Sequence, residues 1–196
     1  MSKGEETRER ILDRAFLLAG RDGFDGLTIG ALADELKMSK SGLFAHFGSK
    51  EELQVAVLDL ASSRFTERVM IDAFKAPRGL PRLKRVFENW VAWGTDPRMP
   101  GGCIFTQAHA ELDDVDGRPR EVLAESERVF QEALAKTVKL AVDEGHFKKG
   151  TDCEQFAFEL EGILKAMHMF SRLLRDRRAA ERARTAFERL VASHRS

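Results

Sequence analysis

Apolar residues recur along this chain at intervals of three and four, the period of helices that bury one face. Ile11, Leu12, Ala15, Leu18 and Ala19 predict a first helix over residues 8–20, and Gly23 and Gly26 punctuate the link to the next. Thr28 then stands as an N-cap before Ile29, Leu32, Ala33 and Leu36, a stripe at i, i+3, i+4 and i+7 on a short second helix. Lys37, Met38 and Ser39 break that stripe. Ser39 caps a third helix, in which Leu43 and Phe47 lie one turn apart and face inward while Lys40, Ser41, Gly42 and His46 stay outside. Ser49 and Glu52 form a capping box that starts a fourth helix with Lys50 in its exposed first turn. The fourth helix reads on to about residue 74, with Leu53, Val57, Leu60, Phe65, Val69 and Ala73 inside, until Pro77, Gly79 and Pro81 close it.

Further helices are predicted over 82–93, 103–112 and 120–144, separated by loops at 97–102 and 113–119. Thr151 and Glu154 make a second capping box. Beyond it Phe156, Leu160, Ile163, Met167, Phe170 and Leu174 follow at spacings of 4, 3, 4, 3 and 4, a heptad seam. Ala179, Ala183, Ala186 and Leu190, with Phe187 beside them, stripe a final helix. These two stripes either cover the chain's own core or pair with a second copy as a four-helix bundle. The class is therefore all-α, with about nine helices.

At 196 residues there is room for a head of about 50 residues and a larger second unit, which divides the chain into 1–48 and 49–196. Lys plus Arg equals Asp plus Glu at 32 each, so any nucleic-acid contact must come from a local patch. Between Leu36 and Lys50 the charges are Lys37, Lys40 and Lys50 with no acid. That segment is basic while the chain is neutral. The eight arginines against three acids over 172–195 read as a solvated helix face. The charged N-terminus lacks an apolar signal core and no stretch approaches 18 apolar residues, so a cytoplasmic protein with no membrane partner is expected. Cys103 and Cys153 are the only cysteines, without CxxC or metal spacing, so neither a disulfide framework nor a zinc site is supported, and no cofactor is implied.

In its entirety the stretch 28–53, TIGALADELKMSKSGLFAHFGSKEEL, resembles the DNA-binding domain of the TetR family of bacterial transcriptional regulators. Thr28, Ile29, Leu32, Ala33, Ser39, Gly42, Leu43, His46, Phe47, Ser49, Lys50, Glu51 and Leu53 carry the likeness. One position departs from the family pattern: Phe44 replaces the usual tyrosine, and the chain has no tyrosine at all. A hydroxyl that in the family commonly reaches a DNA phosphate is absent, a loss of about 0.5 to 1.5 kcal/mol that falls on affinity rather than sequence choice. The resemblance implies a helix-turn-helix head on a helical ligand-binding and dimerising domain, and a repressor released from a palindromic operator by a small apolar or amphipathic molecule. Lys40, Ser41 and Gly42 are assigned to base edges, Thr28, His46 and Lys50 to phosphates, and Ser39 and Phe44 to the same DNA-facing surface. A second copy, holding its head about 34 to 36 Å away, would read the other half-site.

For the effector, Phe65, Phe87, Trp90, Trp93, Phe105, Phe130 and Met167 are the candidate apolar lining, with Gln107, His109, Glu111 or His168 as polar contacts. Cys103 opens the 103–112 helix, where a helix N-terminus lowers a thiol pKa as an electrophile sensor needs, but its apolar neighbours favour inert burial. An enzyme is not supported, because the chain holds no HExxH, GxSxG, phosphate loop or di-iron pattern. A ligand carrier or protein-interaction module would explain the aromatic second half and leave the 28–53 motif without a use.

Overall fold

A computed structural model describes residues 3–196. Nine α-helices follow one another among the described residues: α1 Lys3–Gly26, α2 Ile29–Leu36, α3 Lys40–Phe47, α4 Lys50–Phe65, α5 Leu80–Gly94, α6 Ile104–Leu112, α7 Arg118–Asp143, α8 Cys153–Arg172 and α9 Ala179–His194. None is long and apolar enough to cross a membrane. The predicted fourth helix changes character midway. After Phe65 the backbone continues as a π-helical segment, Thr66–Ile71, and then a 3-10 turn, Asp72–Lys75. Periodicity reads all three as one helix, because six π-helical and four 3-10 residues are too few to move the apolar stripe off the α-helical spacing.

The described residues pack as two compact units, 3–64 with 97–126 and 65–96 with 127–196. In the first, α2, α3 and the start of α4 close on α1 through Ile11, Ala15, Phe24, Leu27, Leu32, Leu43 and Leu53, all buried. α1 is broken at Gly23, whose φ of 81° and ψ of 173° no residue with a β-carbon adopts comfortably. Across from it, the turn before α6 lies so close to α1 that a β-carbon on Gly101 would stand 1.6 Å from the Gly20 carbonyl oxygen. Glycine at 101 is what lets α6 pack on α1.

In the second unit, Phe87 of α5 stacks flat on Phe187 of α9, with centroids 4.1 Å apart. Arg184 to Glu88 and Lys84 to Glu188 stitch the same pair of helices along their solvent edge. Phe156 at the start of α8 is fully buried against Phe147 and the His194 ring. The cap of α8 differs from expectation. Asp152, not Thr151, accepts hydrogen bonds from the Glu154 and Gln155 amides, and the Thr151 hydroxyl is buried without a hydrogen-bond partner. A carboxylate one residue further on is the stronger acceptor at a helix N-terminus.

The α8 and α9 stripes also divide differently than the seam implies. Phe156, Leu160, Met167, Ala183, Phe187 and Leu190 are buried within the single chain, whereas Ile163 and Phe170 are half-buried and Leu174 is exposed. A second stripe faces outward: Phe158, Gly162, Ala166, Met169 and Leu173, at spacings of 4, 4, 3 and 4. α8 is apolar nearly all round, so spacing alone could not say which stripe serves its own core.

Candidate nucleic-acid interface

The head is built by three caps in 22 residues. Thr28 Oγ1 accepts from the Ala31 amide at 3.0 Å to start α2, Ser39 Oγ from Gly42 at 3.1 Å to start α3, and Ser49 Oγ from Glu52 at 3.1 Å to start α4. Thr28 and Ser39 therefore use their side-chain oxygens inside the fold, and their hydroxyl protons alone are left for a phosphate. Between α2 and α3 the chain reverses at Lys37, which sits in the left-handed region at φ 54° and donates its amide to the Ala33 and Asp34 carbonyls. Gly48, at φ 73°, closes α3 by donating to the Phe44 carbonyl at 2.7 Å.

Leu43 and Phe47 fix α3 onto the core, and the Arg8 guanidinium lies 5.2 Å from the Phe47 ring centre. That anchorage decides what points away. Lys40, Ser41, Phe44 and Ala45 are exposed, with Gly42 and His46 half-buried at the edges. The Ser41 hydroxyl reaches Ser39 at 3.3 Å, and the Lys40 ammonium arches over Gly30 of α2. Lys50 departs from its expected freedom. Its ammonium donates to the Asp25 carbonyl oxygen at 3.1 Å and lies 3.7 Å from the Asp25 carboxylate. It is half-exposed and joins α4 to the end of α1, so a phosphate would have to share it.

Lys50 is one of three side chains gripping the kink in α1. Gln54, 6 % exposed, donates to the Phe24 carbonyl at 2.9 Å. Glu111 of α6 accepts from the Asp25 amide at 2.8 Å. Glu111, expected among the polar groups of an effector pocket, instead holds the head. Sequence offered no signal for this, since Gln54 reads as a helix-surface residue and Glu111 as one more charge. Lys37, beyond the predicted site residues, was legible as the charged residue that breaks the α2 stripe.

Residues 11–57 match the family described as bacterial regulatory proteins, tetR family, and residues 79–187 match the tetracyclin repressor-like C-terminal domain. The chain belongs to the TetR family. It is a DNA-binding transcriptional regulator of the ligand-responsive type, and not an enzyme. Solved structures carry the same fold at low identity. A TetR regulator from Chloroflexus aurantiacus superposes with a TM-score of 0.86 at 24% identity, covering 98% of this chain and 96% of that one. One from Cytophaga hutchinsonii gives 0.85 at 19%, covering 100% and 98%. A regulator from Saccharomonospora viridis in complex with choline gives 0.82 at 19%, covering 98% and 99%. None of the curated proteins matches the chain.

In this TetR-family protein the residues expected around an effector fall into separate groups. Phe65, Trp90 and Phe130 pack edge to face with centroids 4.8 to 5.5 Å apart, and Trp93 joins them through Phe65 at 5.4 Å, all within the second unit. The Arg68 guanidinium lies 5.2 Å from the Trp93 ring centre and pairs with the buried Asp96 carboxylate at 2.9 Å. Phe87 is committed to the stack on Phe187. Cys103, the residue preceding α6, is buried with Phe105 and half-buried His109 in the first unit. Met167 is buried in α8 beside Gly94.

Next to Met167, the Nδ1 of His168 is buried without a hydrogen-bond partner, and burial followed by the Arg172 charge lowers its pKa. A lowered histidine pKa means the unfolded chain binds the proton more readily. Stability is then whole above the ordinary value of 6.5 and declines as pH falls toward the depressed folded value. Urea denaturation between about pH 7.5 and about pH 5 is expected to show this slope, and His168→Gln should flatten it.

Proposed function

We propose that the protein is a repressor that holds a palindromic operator as a homodimer, reading each half-site with α3, and lets go when a small apolar or amphipathic molecule binds its second unit. The observation that carries this reading is the outward face of α3, left bare by the burial of Leu43 and Phe47 and flanked by Lys37 and Lys40, with no acid between residues 37 and 50. Such a face suits a helix entering the major groove between two phosphate backbones. Electrophoretic shift of the DNA flanking its own gene tests it. No shift at any accessible protein concentration would count against an operator there.

Lys37 offers a way to separate fold from function. An L-residue in the left-handed conformation costs about 1 kcal/mol or more, and glycine would remove that strain. Retaining a lysine where glycine fits points to work done by its charge. Lys37→Gly is expected to hold or raise the melting temperature while weakening DNA binding at all sequences and lowering the salt slope by about two, one for each copy in the dimer. Unchanged salt dependence would remove Lys37 from the phosphate contacts.

For the second copy, α8 and α9 supply the support. Their outer surface forms a groove of about 670 Å³, floored by Gly162, Ala166, Ala179, Ala183 and Ala186 and edged by Glu159, Arg182 and Arg189. Small residues let helices of a partner approach closely, and an acid on α8 with bases on α9 can complement themselves across a twofold axis. The outward Phe158, Met169 and Leu173 extend the same apolar surface.

The effector reading rests on the cluster of Phe65, Trp90, Trp93 and Phe130 with its Arg68 and Asp96 pair. It adjoins the π-helical segment, and such segments gather at functional sites because their register can shift. α4 ends at Phe65, so a change in the cluster pulls directly on the helix whose other end begins at Lys50. A thermal-shift screen of amphipathic molecules, choline among them, followed by shift assays with each stabilising compound, tests release. Compounds that bind and leave operator affinity unchanged would sink it.

A further inference from the structure

The reading face of α3 is unusual in what it lacks. Ser41, Phe44 and Ala45, spaced i, i+3 and i+4, form its exposed centre, and only Ser41 has a hydrogen-bonding group. Phe44 is 56 % exposed, among the largest apolar surfaces on the head, and no hydrogen bond can hold its ring at a phosphate. In the major groove the hydrogen-bonding edges of guanine, adenine and cytosine lose water when a phenyl ring covers them and gain nothing back. The thymine 5-methyl is the one apolar feature there. Lys37 and Lys40, both exposed, bring positive charge to the ends of this apolar centre and no hydrogen-bonding group into it.

We infer that Phe44 is a specificity-determining residue, packing its ring on the 5-methyl of one thymine in each operator half-site. This goes beyond a DNA-facing position and rests on α3 being the reader. It turns the exchange of a tyrosine hydroxyl for hydrogen from a loss of affinity into a gain of base selection.

The test uses full-length protein and duplexes selected by it from a random pool. Each thymine in the selected site is replaced by deoxyuridine, which removes the methyl and keeps every hydrogen-bonding group. Fluorescence anisotropy then gives the affinities of the wild type, Phe44→Ala and Ser41→Arg. One methyl buried on binding corresponds to about a fourfold effect, so substitution in both half-sites is expected to weaken the wild type by about fifteenfold at one symmetric position. Phe44→Ala should bind more weakly and show no difference between thymine and uracil at that position. Its exposed site predicts an unchanged melting temperature, which excludes unfolding as the cause. A uracil penalty that is absent in the wild type, or equal in Phe44→Ala, overturns the assignment of Phe44 while leaving α3 as the reader. If neither Phe44→Ala nor Ser41→Arg alters affinity or the selected sequence, α3 itself is not the reader and both readings fall.

Discussion

Ala166→Arg is expected to leave each chain folded and to abolish high-affinity operator binding. Ala166 is exposed on α8 and lines the groove shared with α9, so a larger side chain meets solvent in the single chain and meets only a partner when one is present. In a twofold interface one substitution appears twice, facing itself or its near neighbours. The groove already carries Arg182 and Arg189 against Glu159, so the added guanidinium brings like charge as well as bulk. Overpacking and an uncompensated charge at a helix contact each cost about 1 to 3 kcal/mol per occurrence, which over two copies raises the dimer dissociation constant by at least about a thousandfold. Sedimentation velocity at micromolar protein should show a monomer with an unchanged circular dichroism spectrum. Operator affinity should drop by at least about a hundredfold, because one head contacts only a few base edges. A variant that stays dimeric would move the interface away from this groove.

That prediction uses Ala166 rather than any residue of the heptad seam, and the reason bears on how far sequence can be read. Apolar spacing found α2, α3, α8 and α9 because each buries one stripe, and Thr28, Ser39 and Ser49 marked the starts of α2, α3 and α4 through caps that the structure shows in place. Where a helix is apolar on two sides, as α8 is, the same spacing marks Phe156, Leu160 and Met167 as readily as Phe158, Ala166 and Leu173. Only the tertiary fold separates the stripe that meets α9 from the one left bare. The DNA-facing residues were legible because neighbours a few positions apart share one short helix. The grip of Gln54, Lys50 and Glu111 on the kink in α1 was not, since the Glu111 contact joins residues 86 positions apart. Phe65, Trp90, Trp93 and Phe130 were identified as aromatic residues able to meet, but not as one cluster, and Phe87 was grouped with them although its ring faces Phe187.

Two glycine replacements should divide the junction of α1 and α6 into a part that can yield and a part that cannot. At Gly101, with φ at 84°, a β-carbon would lie 1.6 Å from the Gly20 carbonyl oxygen and 2.7 Å from its carbon, both backbone atoms of a buried residue of α1. Nothing at that contact can rotate away. Gly101→Ala must lift the turn off α1, loosening Cys103, Ile104 and Phe105 behind it, and is expected to cost about 3 kcal/mol or more, lowering the melting temperature by roughly 6 to 12 °C. At Gly23 the clash is with the end of a flexible side chain, Glu111 Oε1 at 2.1 Å. Gly23→Ala therefore drives Glu111 out, losing its bond to the Asp25 amide, and keeps a backbone strain of about 1 to 3 kcal/mol that no rotamer change relieves. Combining it with Glu111→Ala should cost less than the sum of the two single changes, because the clash and the lost bond are then counted once. Gly101→Ala with Glu111→Ala should instead be additive, since Gly101 meets Gly20 and not Glu111. Denaturant titrations of the single and double variants read both cycles, and additivity at Gly23 would show that Glu111 does not sit in the kink. The Gly23→Ala protein also separates holding the head from reading DNA. With α6 released from the end of α1 and the α3 face untouched, it should still select the same operator sequence but bind it more weakly.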